Sequence, residues 1–165
     1  MLFVDITEIY YLARKRAEIT GIQRVVLEVA YELTRAQRAR CVVAHPHESC
    51  FRAVDPDFFE VDNLYDGSAH RRSLGKAPKI RNLNKYRKGS TKHLFMSTRV
   101  AIERRLPPRL GPAIDDPVDL RGGALLYLGG FTHIAWICAR ARQQAAAPTI
   151  CVMVHDVIPI MERFG

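Results

Sequence analysis

The run TICVMV, Thr149 to Val154, leads directly into a polar pair, His155-Asp156. A strand that delivers an imidazole and a carboxylate to its end offers a base or hydrogen-bond donor and a group to orient it. The same pair also reads as a plain strand-terminal cap on a neighbouring loop. A metal-dependent phosphohydrolase would need further upstream histidines and a downstream helical Asp, and that context is missing. Gly21 is a second candidate, at the start of TGIQRVVLEVAYEL, Thr20 to Leu33. A helix N-terminus presents free N–H groups and partial positive charge, and a glycine there lets a phosphate or sugar oxygen come close. Equally, Gly21 reads as a residue that eases the turn into the helix. Gly129-Gly130, after ALLYL, is a third bare strand end. Neither GxGxxG nor GxxxxGK[ST] occurs, so no dinucleotide fingerprint or P-loop is expected. Cys41, His45, His47 and Cys50 lie close together, but without CxxC or HxxxH spacing and with Pro46 among them. No metal site is expected.

These residues need elements to hold them. Leu2 to Ile6 (LFVDI) reads as a first strand, followed by a partly helical loop through Tyr10, Tyr11 and Leu12. In the next helix Ile22, Val25, Val26, Val29, Ala30 and Leu33 recur at helical spacing, so they form its buried face. Thr20 is the expected N-cap and Gln23 completes a capping box. CVVA (Cys41 to Ala44) and CFRAV (Cys50 to Val54) read as strands, the latter ended by the turn DPD, with Phe58, Phe59 and Val61 packed beyond it. A helix is expected over about 91–106, stopped by Pro107-Pro108, with Phe95, Ala101, Ile102 and Leu106 as its apolar stripe. Asp115-Asp116-Pro117 reads as an acidic turn. ALLYL and TICVMV read as fully apolar strands on either side of a helix capped by Thr132, with Ile134, Ile137, Cys138 and Ala141 buried. Cys138 and Cys151 read as small core residues. Strands apolar on both faces, alternating with helices, imply an α/β fold: a Rossmann-like parallel sheet with helices on both faces. Ligands in such sheets bind outside the carboxyl ends of the strands. One edge would then gather Asp5, Thr7, Gly21, Gly129-Gly130 and His155-Asp156.

The chain's 165 residues are enough for one domain with a real core. No apolar run approaches the ~20 residues of a membrane span. Met1 to Asp5 lacks a basic leader region, so a cytoplasmic protein is expected. Net charge is +8, but the stretch from Ala69 to Leu110 alone carries +12, from thirteen Lys/Arg and the single acid Glu103, which leaves the remainder at −4. The charge therefore belongs to a segment of about 69–110, read as an insertion. It is either a solvated insertion or a patch for an anionic membrane surface, with Arg71, Arg72, Lys76, Lys79 and Arg81 as its leading cations. Only Tyr86 and Phe95 interleave those charges, which disfavours nucleic acid.

Two motifs in order, TGIQRVVLEVAYEL after a strand carrying DIT and VMVHDVIPI near the end, resemble the N-terminal domain of retaining GT-B glycosyltransferases of the group 4 class. ALLYLGG lies between them as that resemblance requires. The similarity covers about 3–33 and 124–160. It implies the N-terminal, acceptor-side half of a two-domain nucleotide-sugar-dependent enzyme of cell-surface polysaccharide synthesis. Gly21 would lie near donor phosphates and acceptor, flanked by Thr20, Gln23 and Arg24. His155 would reach toward the transferred sugar, and Asp156 would line the same cleft, with Gly129 and Gly130 on the binding edge. A nucleotide-sugar would be co-substrate, with no bound cofactor. The acceptor would be a sugar, lipid-linked if the chain rests peripherally on the inner face of the membrane. The donor-binding domain and its E-x7-E motif have no counterpart in the sequence. On this resemblance residues 1–165 are a single incomplete domain, inactive alone, and a separate donor-domain chain is a possible partner. The rival reading is a non-catalytic, basic Rossmann-like binding protein for nucleic acid or a partner subunit.

Overall fold

The computed structural model describes residues 1–12, 19, 21–45, 48, 50–60, 64–75, 88–105, 110–144 and 146–153. Six strands form one sheet in the order β4-β3-β2-β1-β5-β6. They are β1 (Leu2–Asp5), β2 (Ala39–Ala44), β3 (Phe51–Val54), β4 (Ile114–Val118), β5 (Ala124–Tyr127) and β6 (Thr149–Val152). The helices are α1 (Thr7–Leu12), α2 (Ile22–Arg35), α3 (Gly67–Leu74), α4 (Thr91–Arg105) and α5 (Phe131–Arg142), with a 3-10 turn over Pro56–Phe59.

The fold is α/β, but the sheet is mixed rather than parallel throughout. β1 lies parallel to β2 and β5, and β5 to β6, whereas β3 runs antiparallel to both β2 and β4. For β2 and β3 the cause is the length of their connection. Only residues 45–50 join β2 to β3, and a parallel crossover needs about a dozen residues or more. β4 corrects the reading of Asp115-Asp116-Pro117 as a turn, for this segment is an edge strand. An edge tolerates Pro117 because no neighbour needs its missing N–H, and the exposed Asp115 and Asp116 discourage further pairing.

Core residues cover both faces of the sheet. On one, Val4, Cys41 and Val43 pack with Val26, Leu27 and Ala30 of α2, Phe58 of the 3-10 turn and Leu74 of α3. On the other, Phe3, Val42, Leu125 and Tyr127 pack with Ile137 and Ala141 of α5. The buried face of α2 is rotated from the expected one: Leu27 is buried and Val25 is exposed. The expected capping box is also absent, because Gly21 is the N-cap and no side chain caps the helix. Gly130, not Thr132, is likewise the cap of α5. β6 departs most from expectation. As the other edge strand it leaves Cys151 exposed rather than in the core, and only Ile150 is partly covered.

The basic segment divides in two. Residues 69–74 belong to α3, whose His70 and Leu74 are buried, with the His70 ring 4.8 Å from that of Phe58. Gly75 then bridges to Leu110, and Gly111 N donates to the Leu74 carbonyl at 3.1 Å. The two ends of the stretch that holds α4 are thus joined. Among the described residues no helix is long and apolar enough to cross a membrane.

Candidate functional site

Register fixes the rim. Asp5 is level with Val42 on one side and Tyr127 on the other, and Tyr127 is level with Val152. The carboxyl ends of β1, β2, β5 and β6 therefore open on one edge. β1 feeds α1 there and β5 feeds α5, with Gly130 as the α5 cap.

Glu8, in the first turn of α1, ties this edge together. Its Oε1 accepts from Gln23 Nε2 at 2.9 Å, and its Oε2 accepts from the Gly130 backbone N–H. One carboxylate thus joins the opening turns of α2 and α5. This brings the helix that starts at Gly21 and the Gly129-Gly130 corner to the same rim. Thr7 locks α1 to the sheet, because its Oγ1 accepts from Ala44 N at 2.8 Å.

The two helix mouths differ. At α5 the protein supplies its own partners. Glu8 takes the Gly130 N–H, while the Tyr127 phenol donates to the Gly130 carbonyl at 2.5 Å and is met by the His133 backbone N–H. Burial, then the nearby Glu8 and Asp5 charges, push the Tyr127 phenol upward, so it stays a protonated donor. Gly129 is glycine for lack of space, since an added Cβ would overlap Glu8 Oε2 and lie 2.8 Å from the Tyr127 oxygen. At α2 nothing among the described residues crowds Gly21. Its φ of 48° and ψ of −119° suit glycine alone, and a Cβ placed there would meet no atom within 4 Å. Among the described residues no side chain fills the mouth of α2, and in this sense it is bare.

Asp5 lies behind the rim at 2% exposure. Its Oδ1 accepts from Thr7 N at 2.7 Å, whereas Oδ2 has no hydrogen-bond partner among the described residues. Burial pushes its carboxyl up to about 7, against the smaller opposing effect of the Thr7 hydrogen bonds. A carboxyl poised near neutrality at a strand end can take up or release a proton under working conditions. Beside it, α1 packs on α5 through Tyr11, whose ring stacks on His133 at 5.3 Å and meets the edge of Trp136 at 6.2 Å.

Other candidates fall elsewhere. Arg24 Nε donates to the Ile19 carbonyl at 3.2 Å, and its guanidinium lies 4.9 Å over the Tyr65 ring. Gln23 is held by Glu8. Arg71 and Arg72 are exposed on α3, with Arg72 3.9 Å from Asp66. Thr20, Lys76, Lys79, Arg81, His155 and Asp156 lie outside the described residues. Cys41 faces α2, where its Sγ is 3.3 Å from Thr34 Oγ1 and burial lifts the thiol to about 11. Among the described residues no three metal-ligating side chains converge.

Sequence reasoning missed Glu8 and Tyr127. The signal for Glu8 was an acid three residues past a strand-terminal Asp, in DITE. For Tyr127 it was the one hydroxyl in ALLYL. The chain matches no protein-family model, no curated protein and no solved structure.

Proposed function

We propose that this chain is the acceptor-side domain of a nucleotide-sugar-dependent glycosyltransferase of cell-surface polysaccharide synthesis. The observation that carries the reading is the bare mouth of α2 at Gly21, on the edge where the parallel strands end. An open helix N-terminus with exposed N–H groups suits a phosphate or a sugar hydroxyl. The resemblance of TGIQRVV and HDVIP to the group 4 class supports the same reading and assigns His155 and Asp156 to the transfer step. In that step the acceptor oxygen bonds to the anomeric carbon, the bond from that carbon to the nucleotide phosphate breaks, and the acceptor proton passes to a base. A nucleotide-sugar is the co-substrate, and its nucleotide is held by a donor-binding domain facing this edge.

Saturation-transfer NMR with uridine- and guanosine-diphosphate hexoses tests the reading. Wild type should show transfer to sugar or phosphate-adjacent protons. Gly21→Asp, which puts a side chain and a negative charge at the mouth, should weaken it about 10-fold or more. Equal signals from both proteins, or none from wild type at millimolar ligand, would overturn the assignment.

A further inference from the structure

α4 carries apolar side chains on both of its faces. Along its described side chains the partly covered residues are His93, Met96, Ser97 and Val100, the spacing of one helical face. Three further apolar side chains lie on the other face: Leu94 is 60% exposed, Phe95 66% and Ile102 54%. Phe95, Thr98, Arg99 and Ile102 line a shallow open concavity of about 400 Å³ on that outer face. α4 makes no substantial contact with another described element. Phe95 and Ile102 belong to the apolar stripe read from the sequence, and both are largely exposed in the structure.

The charges say what covers this face. Between Lys88 and Arg105 the sequence carries five Lys/Arg and one acid. On an ideal helix Lys92 and Arg99 fall along one border of the Leu94-Phe95-Ile102 face, with the single acid Glu103 beside them. A face with apolar side chains at its centre and cations at its margin matches a bilayer interface, where the apolar groups enter the acyl boundary and the cations meet anionic headgroups. Nucleic acid fits less well, because Leu94 and Ile102 offer nothing to phosphates or base edges.

We infer that α4 is an interfacial docking helix for an anionic lipid surface, with Leu94, Phe95 and Ile102 as apolar anchors and Lys88, Lys92 and Arg99 as headgroup contacts. This inference is independent of the sugar-transfer reading, since it uses none of the rim residues.

The test is co-sedimentation of the full chain with vesicles of phosphatidylcholine alone or with 30% phosphatidylglycerol. Wild type should partition to the anionic vesicles about 10-fold or more above the neutral ones, falling with added salt. Phe95→Ser/Ile102→Ser and Lys88→Glu/Lys92→Glu should each lower anionic partitioning about 10-fold or more. All three proteins should keep the same circular dichroism spectrum and the same Tm within about 3 °C, because the changed side chains are largely exposed. Absent or equal binding to the two vesicle types would overturn the inference. So would loss of binding in the charge variant alone, or binding to a DNA or RNA duplex that outcompetes the vesicles and survives the Phe95/Ile102 change.

Discussion

Replacing Asp5 with Asn tests the buried carboxyl behind the rim. The side chains match in shape, and the Asn oxygen can still accept from Thr7 N, the 2.7 Å bond of the native protein. What disappears is the ionisation. The native carboxyl is raised from 3.8 to about 7 by burial. Between those values the unfolded chain releases this proton while the folded chain retains it, so the folded state binds more protons and stability falls as pH rises. The favourable contribution is complete below the unfolded value and lost as pH passes through about 7. Raising the carboxyl from 3.8 to about 7 corresponds to about 4 kcal/mol as an upper figure, and relaxation around Asp5 should reduce it to about 2–4 kcal/mol. His70, lowered by burial, acts in the opposite sense, with stability lost as pH falls below its unfolded value. It is common to both proteins and cancels in their difference. Urea unfolding at intervals from pH 4 to pH 8 should find the two proteins of similar stability at pH 4. Asp5→Asn should then gain steadily, reaching about 2–4 kcal/mol at pH 8. A variant less stable than wild type at pH 8, or a difference that does not change with pH, would refute this account of Asp5.

Other changes at the rim have distinct expected outcomes. Gly129→Ala should cost about 1–3 kcal/mol in chemical denaturation, because its Cβ meets Glu8 and Tyr127. Gly130→Ala, whose Cβ would sit 3.6 Å from the Glu8 oxygens with φ at −74°, should stay within about 0.5 kcal/mol. Glu8→Gln turns a donor toward either Gln23 or the Gly130 N–H. It should cost about 2 kcal/mol, seen calorimetrically as a fall in Tm on the order of 5 °C. Gly21→Ala places a Cβ at φ 48° and should cost about 1–2 kcal/mol by the same method, from backbone strain and not collision.

Hydrophobic periodicity made the frame of the protein legible. LFVDI, CVVA and ALLYL each form strands close to the positions read from the chain, because continuous apolar runs bounded by polar turns have few other places to go. Pairing direction was less legible, since it depends on the length of a connection and not on strand composition. β4 was hidden because Asp-Asp-Pro is turn chemistry everywhere except on a charged sheet edge. α3 was hidden because GSAHRRSL shows mostly its solvent face, and only His70 and Leu74 betray the buried one. At α2 the local signal misled: TGIQ has the form of a capping box, yet Gln23 reaches to Glu8, fifteen residues away. Long-range partners such as Glu8 with Gly130 leave no local pattern, so the rim's hydrogen bonding could be read only from the folded chain. The exposure of Phe95 and Ile102 was equally invisible, because a stripe at helical spacing looks the same whether its partner is the chain's own core or something outside it.

The central claim is that the bare mouth of α2 at Gly21 receives a phosphate or sugar. Amide chemical-shift mapping with a diphosphate-linked hexose tests it most directly. Shifts should concentrate at Gly21, Ile22 and Gln23, and extend to Glu8 and Gly130 through their hydrogen bonds. Saturating ligand that moves only amides at the opposite ends of the strands, such as Ala39, Gly123 and Thr149, would contradict it.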